Sequence, residues 1–387
     1  MKNVRHCDQS SAVRRIGWRT VLAVVLASLL LAAACGDDDE DAQGATSTVG
    51  TESGGTTTSL EATTTSLEPV EPLKVAIGSP TTLYGAAWVA LGADLFEKHG
   101  VEVEVVNFNA FSTGSAQLAS DQIDIMFSSP VVGLSLASED IELSYIYRLL
   151  DNEYHLPVFA TAKDVTIDEL RAMGSDCRLS GPPAGGGIYM MGNHFLEAYE
   201  LGCEYVPQDV TTAVPALISG QVQAVVSLPT LIFPAAEQGL VNLIYDPRTV
   251  SEAEGKRLVP FQHPGLLAYG KKETLAAKRE AVVRFTAALQ EASEVIMNST
   301  AEEVANIAVK VEPFATAELA PFIQSWELTI AGIPSGDEPG RLSESEWSAL
   351  LDAIPAWGVA DLDVSDPRLS FDAVIDMSYY EEAAARG

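Results

Sequence analysis

The chain has 387 residues, 47% of them hydrophobic, and carries 54 Asp+Glu against 23 Lys+Arg for a formal charge of -31. A surface this acidic repels phosphate backbones, which excludes DNA and RNA as partners. The hydrophobic share is enough for a large core, although one region near the N-terminus has almost nothing to bury.

In chain order, residues 1–20 hold Lys2, Arg5, Arg14, Arg15 and Arg19 with only Asp8 opposing, and an unbroken apolar run follows at 21–34. This is the pattern of a cleaved export signal. The run falls short of the roughly 20 residues a helix needs to cross a bilayer, and no later stretch is long and apolar enough to span one. The run ends at Leu31-Ala32-Ala33-Ala34-Cys35-Gly36, which resembles the lipobox of bacterial lipoproteins, with Ala32 where Leu is commonest. The resemblance implies a signal peptide over 1–34, cleavage before Cys35, and diacylglycerol on its thiol. Two or three acyl chains then hold the protein on the outer face of the cell membrane, or in the periplasm. Arg14-Arg15 leaves both the general and the twin-arginine export routes open. Residues 35–72 form an acidic Thr/Ser/Gly tract without Lys or Arg, which predicts a disordered tether.

The body, 73–387, keeps 44 acidic against 18 basic side chains. It exceeds the roughly 250–300 residues at which a single core stops growing, so two lobes are expected. Strand-like runs at 74–77, 101–106, 123–127 and 143–147 alternate with helix-like runs at 85–99, 114–120 and 130–138. The alternation begins again at 178–180, with helices at 187–200, 211–219 and 230–238 and strands at 204–206, 222–226 and 241–244. The pattern predicts an α/β fold with mainly parallel sheets flanked by helices. After about residue 261 comes one extended piece, 265–269, and then long amphipathic helices. In the helix at 278–297, Val282, Phe285, Leu289 and Val295 recur at helical spacing, which places these helices back on the first lobe.

Several segments in fixed order resemble the substrate-binding proteins of bacterial ABC importers, in the family that binds nitrate, taurine, aliphatic sulfonates and the thiamine pyrimidine precursor. They are Leu73-Lys-Val-Ala-Ile-Gly78, Gly92-Ala-Asp-Leu-Phe-Glu-Lys-His-Gly-Val-Glu-Val-Glu-Val105, Ala119-Ser-Asp-Gln-Ile-Asp-Ile125, Ile167-Asp-Glu-Leu170, Ala216-Leu-Ile-Ser-Gly-Gln-Val-Gln-Ala-Val225 and Phe371-Asp-Ala-Val-Ile-Asp-Met-Ser-Tyr379. The resemblance implies a two-lobe, type II periplasmic-binding-protein-like fold with two hinge crossings. Here lobe I is 73–157 plus 263–387, lobe II is 158–262, and the crossings fall near 157–163 and 245–264. It also implies a small-molecule solute, delivery to the transmembrane permease subunits of an ABC transporter, and a monomer.

Ligands of open α/β sheets bind beyond the carboxyl ends of the strands, so the loops there are the candidates. They supply Ser79, Pro80 and Tyr84; Phe111, Ser112, Thr113 and Gly114; Ser128 and Ser129; Gly185, Gly186, Gly187 and Tyr189; and Leu228 and Pro229. Hydroxyls and free amides at a helix start suit a polar oxygen, although the same residues also serve as plain caps and turns. Of the aromatics Tyr84, Trp88, Phe111, Phe127, Tyr189 and Phe233, Trp88 reads as core, whereas Tyr84 and Tyr189 have polar tips suited to a cleft. No Lys or Arg occurs in these loops, which favours a neutral or weakly charged solute. Arg148, with Asp151 and Glu153, reads as a solvated strand end.

Cys177 and Cys203 immediately precede two consecutive strands of one βαβ unit in an oxidising compartment, which predicts a disulfide worth roughly 3 kcal/mol in the loop-entropy account. The five histidines share no metal-ligand spacing, and no HExxH, P-loop, GxSxG or GxGxxG pattern is present, so neither metal, cofactor nor catalysis is expected. Two rivals remain. One is a receptor that presents its solute to a membrane sensor; the other is an enzyme on this fold similar to thiamine-pyrimidine synthase, whose cysteine-rich stretch this chain lacks.

Overall fold

The computed structural model describes residues 68–387 apart from 109, 153–154, 260–262, 335, 337, 358–361 and 387. The signal peptide, Cys35 and nearly all of the tether lie outside the described residues. The first run of elements is β1 (Leu73–Ile77), α1 (Gly85–Gly92), α2 (Leu95–Lys98), β2 (Val103–Asn107), α3 (Phe111–Ala119), β3 (Ile125–Ser128), α4 (Pro130–Ser138) and β4 (Leu143–Asn152). The second is β5 (Val158–Ala162), α5 (Ile167–Met173), β6 (Arg178–Gly181), α6 (Gly187–Ala198), β7 (Glu204–Pro207), α7 (Val210–Ile218), β8 (Ala224–Ser227), α8 (Pro229–Glu237), β9 (Val241–Tyr245) and α9 (Glu252–Leu258). Strand β10 (His263–Lys271) leads into the C-terminal helices α10 (Lys272–Ala277), α11 (Arg279–Asn298), α12 (Ala301–Ala308), α13 (Leu319–Ala331), α14 (Glu344–Ala353), α15 (Phe371–Val374) and α16 (Ser378–Ala384).

The strands form two five-stranded sheets, ordered β2-β1-β3-β10-β4 and β7-β6-β8-β5-β9. β1 lies parallel between β2 and β3, and β6 between β7 and β8: Leu73 pairs with Val103 and Val75 with Ile125, and likewise Arg178 with Glu204 and Leu179 with Ala224. One strand in each sheet runs antiparallel to its neighbours, and it is the strand that enters from the other sheet. β10 pairs with β3 and β4, and β5 with β8 and β9. The order 2-1-3-n-4 therefore occurs twice, with the chain exchanging one strand in each direction. The fold is α/β, with both mainly parallel sheets flanked by helices.

Local chemistry explains the helix starts. Thr166, Thr300 and Ser343 each accept from the amide three residues on, while Glu169, Glu303 and Glu346 return the bond to the cap amide. Helix α1 is apolar on every side, and almost all of it is buried. It lies between α11 and α12, with the Trp88 ring edge-on to Phe314 at 5.3 Å and its Nε1 donating to the Thr81 carbonyl at 2.8 Å. Phe285 of α11 stacks on Phe96 at 5.2 Å and on Phe127 at 6.1 Å.

Four segments differ from the sequence expectation. The single helix expected at 85–99 breaks into α1 and α2, because Asp94 takes a left-handed conformation with φ 56°, one that Asp tolerates. Helix α3 starts at Phe111, so Gly114 is inside it, where an added Cβ would meet Met126 at 2.6 Å. Residues 158–162, expected within a crossing, form the antiparallel strand β5, whose Val-Phe-Ala-Thr-Ala run is almost wholly buried. Arg148 is not solvated: it is 8% exposed and pairs with Glu346 and Asp151.

Candidate ligand-binding cleft

The loops after β1, β2 and β3 of the first sheet and after β6, β7 and β8 of the second all reach one cavity. From the first sheet, β1 leads into Gly78, Ser79, Thr81, Leu83 and Tyr84, β2 into Phe108, Ala110 and Phe111, and β3 into Ser129. From the second, β6 leads into Pro182, Pro183, Gly186, Gly187 and Ile188, β7 into Asp209 and Val210, and β8 into Leu228. Leu150 and Leu156, around the passage from β4 to β5, and Gly265 and Leu266 of β10 complete the wall. The double 2-1-3-n-4 order puts a switch point on the same side of both sheets, which is where such folds take ligands. The cavity volume is about 120 Å³.

Of the residues expected from sequence, Ser79, Tyr84, Phe111, Ser129, Gly186, Gly187 and Leu228 line this cavity. The others sit elsewhere. Pro80, Ser112 and Thr113 are exposed beside it, and Gly114 packs on Met126. The Ser128 hydroxyl is buried against the Tyr269 hydroxyl at 2.7 Å. Gly185, at φ 101°, makes the turn that presents Gly186. Pro229 is the buried first residue of α8, and the Tyr189 ring packs edge-on to Tyr205 at 4.9 Å. Trp88, Phe127 and Phe233 are at most 1% exposed and belong to the cores.

The electrostatics of the wall are sparse. Among the described residues, Asp209 is the only charged side chain lining the cavity. It caps α7, its Oδ1 accepting from the Thr211 amide at 2.8 Å and the Thr211 hydroxyl at 2.5 Å. Burial holds the Tyr84 phenol above its usual pKa, so at neutral pH it is a protonated hydroxyl against the Gly78 backbone. The hydroxyls of Thr81 and Ser129 are buried without a hydrogen-bond partner among the described residues. Ser129 stands at the N-cap of α4, yet its side chain makes no capping bond.

Sequence reasoning missed Phe108 and Ile188, which flank residues it named, and Asp209, whereas Thr81 and Pro182 lie within candidate loops without having been singled out. The signal for Asp209 was its place after β7, a parallel strand whose following loop was left out. Its Asp-Val-Thr-Thr sequence also reads as an N-cap. No group of His, Cys, Asp and Glu placed to hold a metal occurs among the described residues. Cys177 and Cys203 form a disulfide with Cα atoms 4.4 Å apart, at the amino ends of β6 and β7 and so at the opposite edge of the sheet from the cleft.

No protein-family model and no curated protein matches the chain. Solved structures do. The periplasmic nitrate-binding protein NrtA from Synechocystis PCC 6803 superposes with TM-score 0.63 at 16% identity, covering 82% of this chain and 89% of that one. The ligand-binding component of an ABC-type import system from Staphylococcus aureus, solved with zinc bound, gives 0.64 at 12% identity over 81% and 99%. The alkanesulfonate-binding protein SsuA from Xanthomonas axonopodis pv. citri, bound to MOPS, gives 0.57 at 17% identity over 79% and 99%. At these identities the likeness is one of fold: the chain has the fold of periplasmic binding proteins.

Proposed function

We propose that this chain is the extracytoplasmic solute-binding subunit of an ABC importer, capturing a small organic molecule between two lobes and delivering it to a membrane permease. The observation that carries this reading is the convergence of the loops after three parallel strands of each sheet on one apolar cavity. The lobes are 73–157 with 263–387, and 158–262, so the two stretches between the sheets act as the hinge. The leader and Cys35 fit the same role. A lipid-anchored monomer on the outer membrane face, held by an acidic tether, keeps its solute near the permease while sampling the medium. Among the described residues the cavity wall presents no nucleophile–base pair, and the reading includes no chemistry on the solute.

The test is native mass spectrometry of the exported protein, purified without denaturation. A discrete added mass that leaves intact on unfolding supports the reading. No retained mass, before or after incubation with sulfonates, nitrate, pyrimidines and aromatic acids, refutes it. A ligand released with altered mass points instead to an enzyme.

A further inference from the structure

Resting on the solute-binding reading, we propose that the cleft accepts an uncharged molecule of about one aromatic ring with a single hydrogen-bonding end, held by Thr81 and Ser129, and that it refuses oxyanions and sulfonates. Three features of the cavity lead there. The first is charge. An anion in this cavity meets Asp209 and, among the described residues, no Lys, Arg or His on the wall, on a chain of formal charge -31. Burying an anion without a countercharge is costly, and the helix starts and hydroxyls on the wall offer only partial charges against it.

The second is the pair of hydroxyls. Thr81 is 2% and Ser129 4% exposed, both line the cavity, and neither oxygen has a partner among the described residues. Their main chains are fixed by other bonds: the Thr81 carbonyl accepts from Trp88 Nε1 at 2.8 Å, and the Ser129 carbonyl from the Val132 amide at 3.1 Å. Buried polar groups left unsatisfied destabilise a fold, so two of them on residues that line one cavity mark where a ligand's polar end completes the bonding.

The third is size and wall chemistry. Leu83, Phe108 and Phe111 from one sheet face Pro182, Ile188 and Leu228 from the other. An apolar cavity of about 150 Å³ holds benzene, so one of about 120 Å³ suits a single ring with a small substituent.

The experiment is isothermal titration of the purified full chain with 4-methylphenol, benzamide, ethanesulfonate, nitrate and benzylamine, repeated on Thr81→Val and Ser129→Ala. The expected result is binding of 4-methylphenol or benzamide only, weakened about tenfold by either substitution, equivalent to about 1.4 kcal/mol. Both variants should melt at or above the parent temperature, because each removes an unsatisfied buried hydroxyl, and this separates a ligand contact from a structural role. Undiminished binding by both variants overturns the inference. Preferential binding of ethanesulfonate, nitrate or benzylamine overturns it while leaving the solute-binding reading intact. If no compound binds and native mass spectrometry shows no retained molecule, both readings fall.

Discussion

His263 opens β10, where the chain returns from the second sheet to the first, and it should make the stability of the protein fall on mild acidification. The ring is 6% exposed, and Nδ1 donates to the Pro264 carbonyl at 3.1 Å, which fixes the neutral tautomer. Burial depresses its pKa from 6.5 to about 4. The unfolded chain therefore binds a proton at pH 5 that the folded chain does not. The stability due to this group is fully present above about pH 6.5 and is lost as pH falls toward 4, where it levels off. Between pH 7.5 and pH 5 the linkage amounts to about 2 kcal/mol. Urea unfolding at the two pH values, on the parent chain and on His263→Gln, isolates it, since other titrating groups are common to both proteins. The parent should lose about 2 kcal/mol more than the variant over this interval. Equal losses would refute the reasoning and show that the ring is protonated within the fold.

Two further outcomes follow from the packing. The Cys177–Cys203 bond closes a loop of sequence separation 26, so Cys177→Ser with Cys203→Ser should lower the stability to urea by about 3.5 kcal/mol. A loss below about 1 kcal/mol, or two free thiols in the exported protein, would contradict this. At Gly92 an added Cβ would meet the Ile307 backbone carbonyl oxygen at 2.4 Å, so Gly92→Ala should lower the melting temperature by an overpacking cost of about 1–3 kcal/mol. Helix propensity alone predicts the opposite sign, and a raised melting temperature would show that α12 moves aside.

Most of the sheet architecture was legible because parallel strands buried on both faces read as short, nearly continuous apolar runs between amphipathic helices. Helix α4 occupies the residues its pattern predicted, 130–138, with Pro130 at its first turn. Strand β5 was not legible, because an antiparallel strand is defined by its partners, and β8 and β9 lie some 65 to 85 residues on. Arg148 was misread for a related reason. Its partner Glu346 comes from α14, at a sequence distance of 198, and no local pattern announces that contact. In the cleft, strand ends identified the loops but not which side of each loop faces inward. Ser128 and Ser129 are adjacent and chemically alike, yet the hydroxyl of one is turned to Tyr269, while the other residue lines the cavity and its hydroxyl has no partner among the described residues. Tyr189 was lost to Tyr205 in the same way.

The contacts that join the two sheets differ in kind, and the difference bears on how a cleft of this type closes. Around the β1 loop they are hydroxyl to hydroxyl: Thr82 Oγ1 lies 3.1 Å from Thr230 Oγ1 of α8, and Thr329 of α13 donates to the same Thr82 oxygen at 2.6 Å. Such bonds exchange with water at a net cost of only about 1 kcal/mol each, so they guide closure without enforcing it. Helix α13 makes a different contact. Its Trp326 packs with Phe322 and Phe322 with Phe314, which lies against Trp88 of the first lobe, while Leu328 belongs with Ile232 and Phe233 to a core cluster of the second sheet. An apolar contact of this kind does not exchange for water cheaply, so on the proposed reading α13 serves as a pivot rather than a latch. On the proposed reading, the free energy that holds the cleft shut must then come from the solute, through the apolar wall it covers and the hydroxyls of Thr81 and Ser129 that it satisfies. A ligand shifts a two-state equilibrium only by its differential affinity for the two states. A molecule lacking either the ring or the polar end would therefore enter the cleft and leave it open.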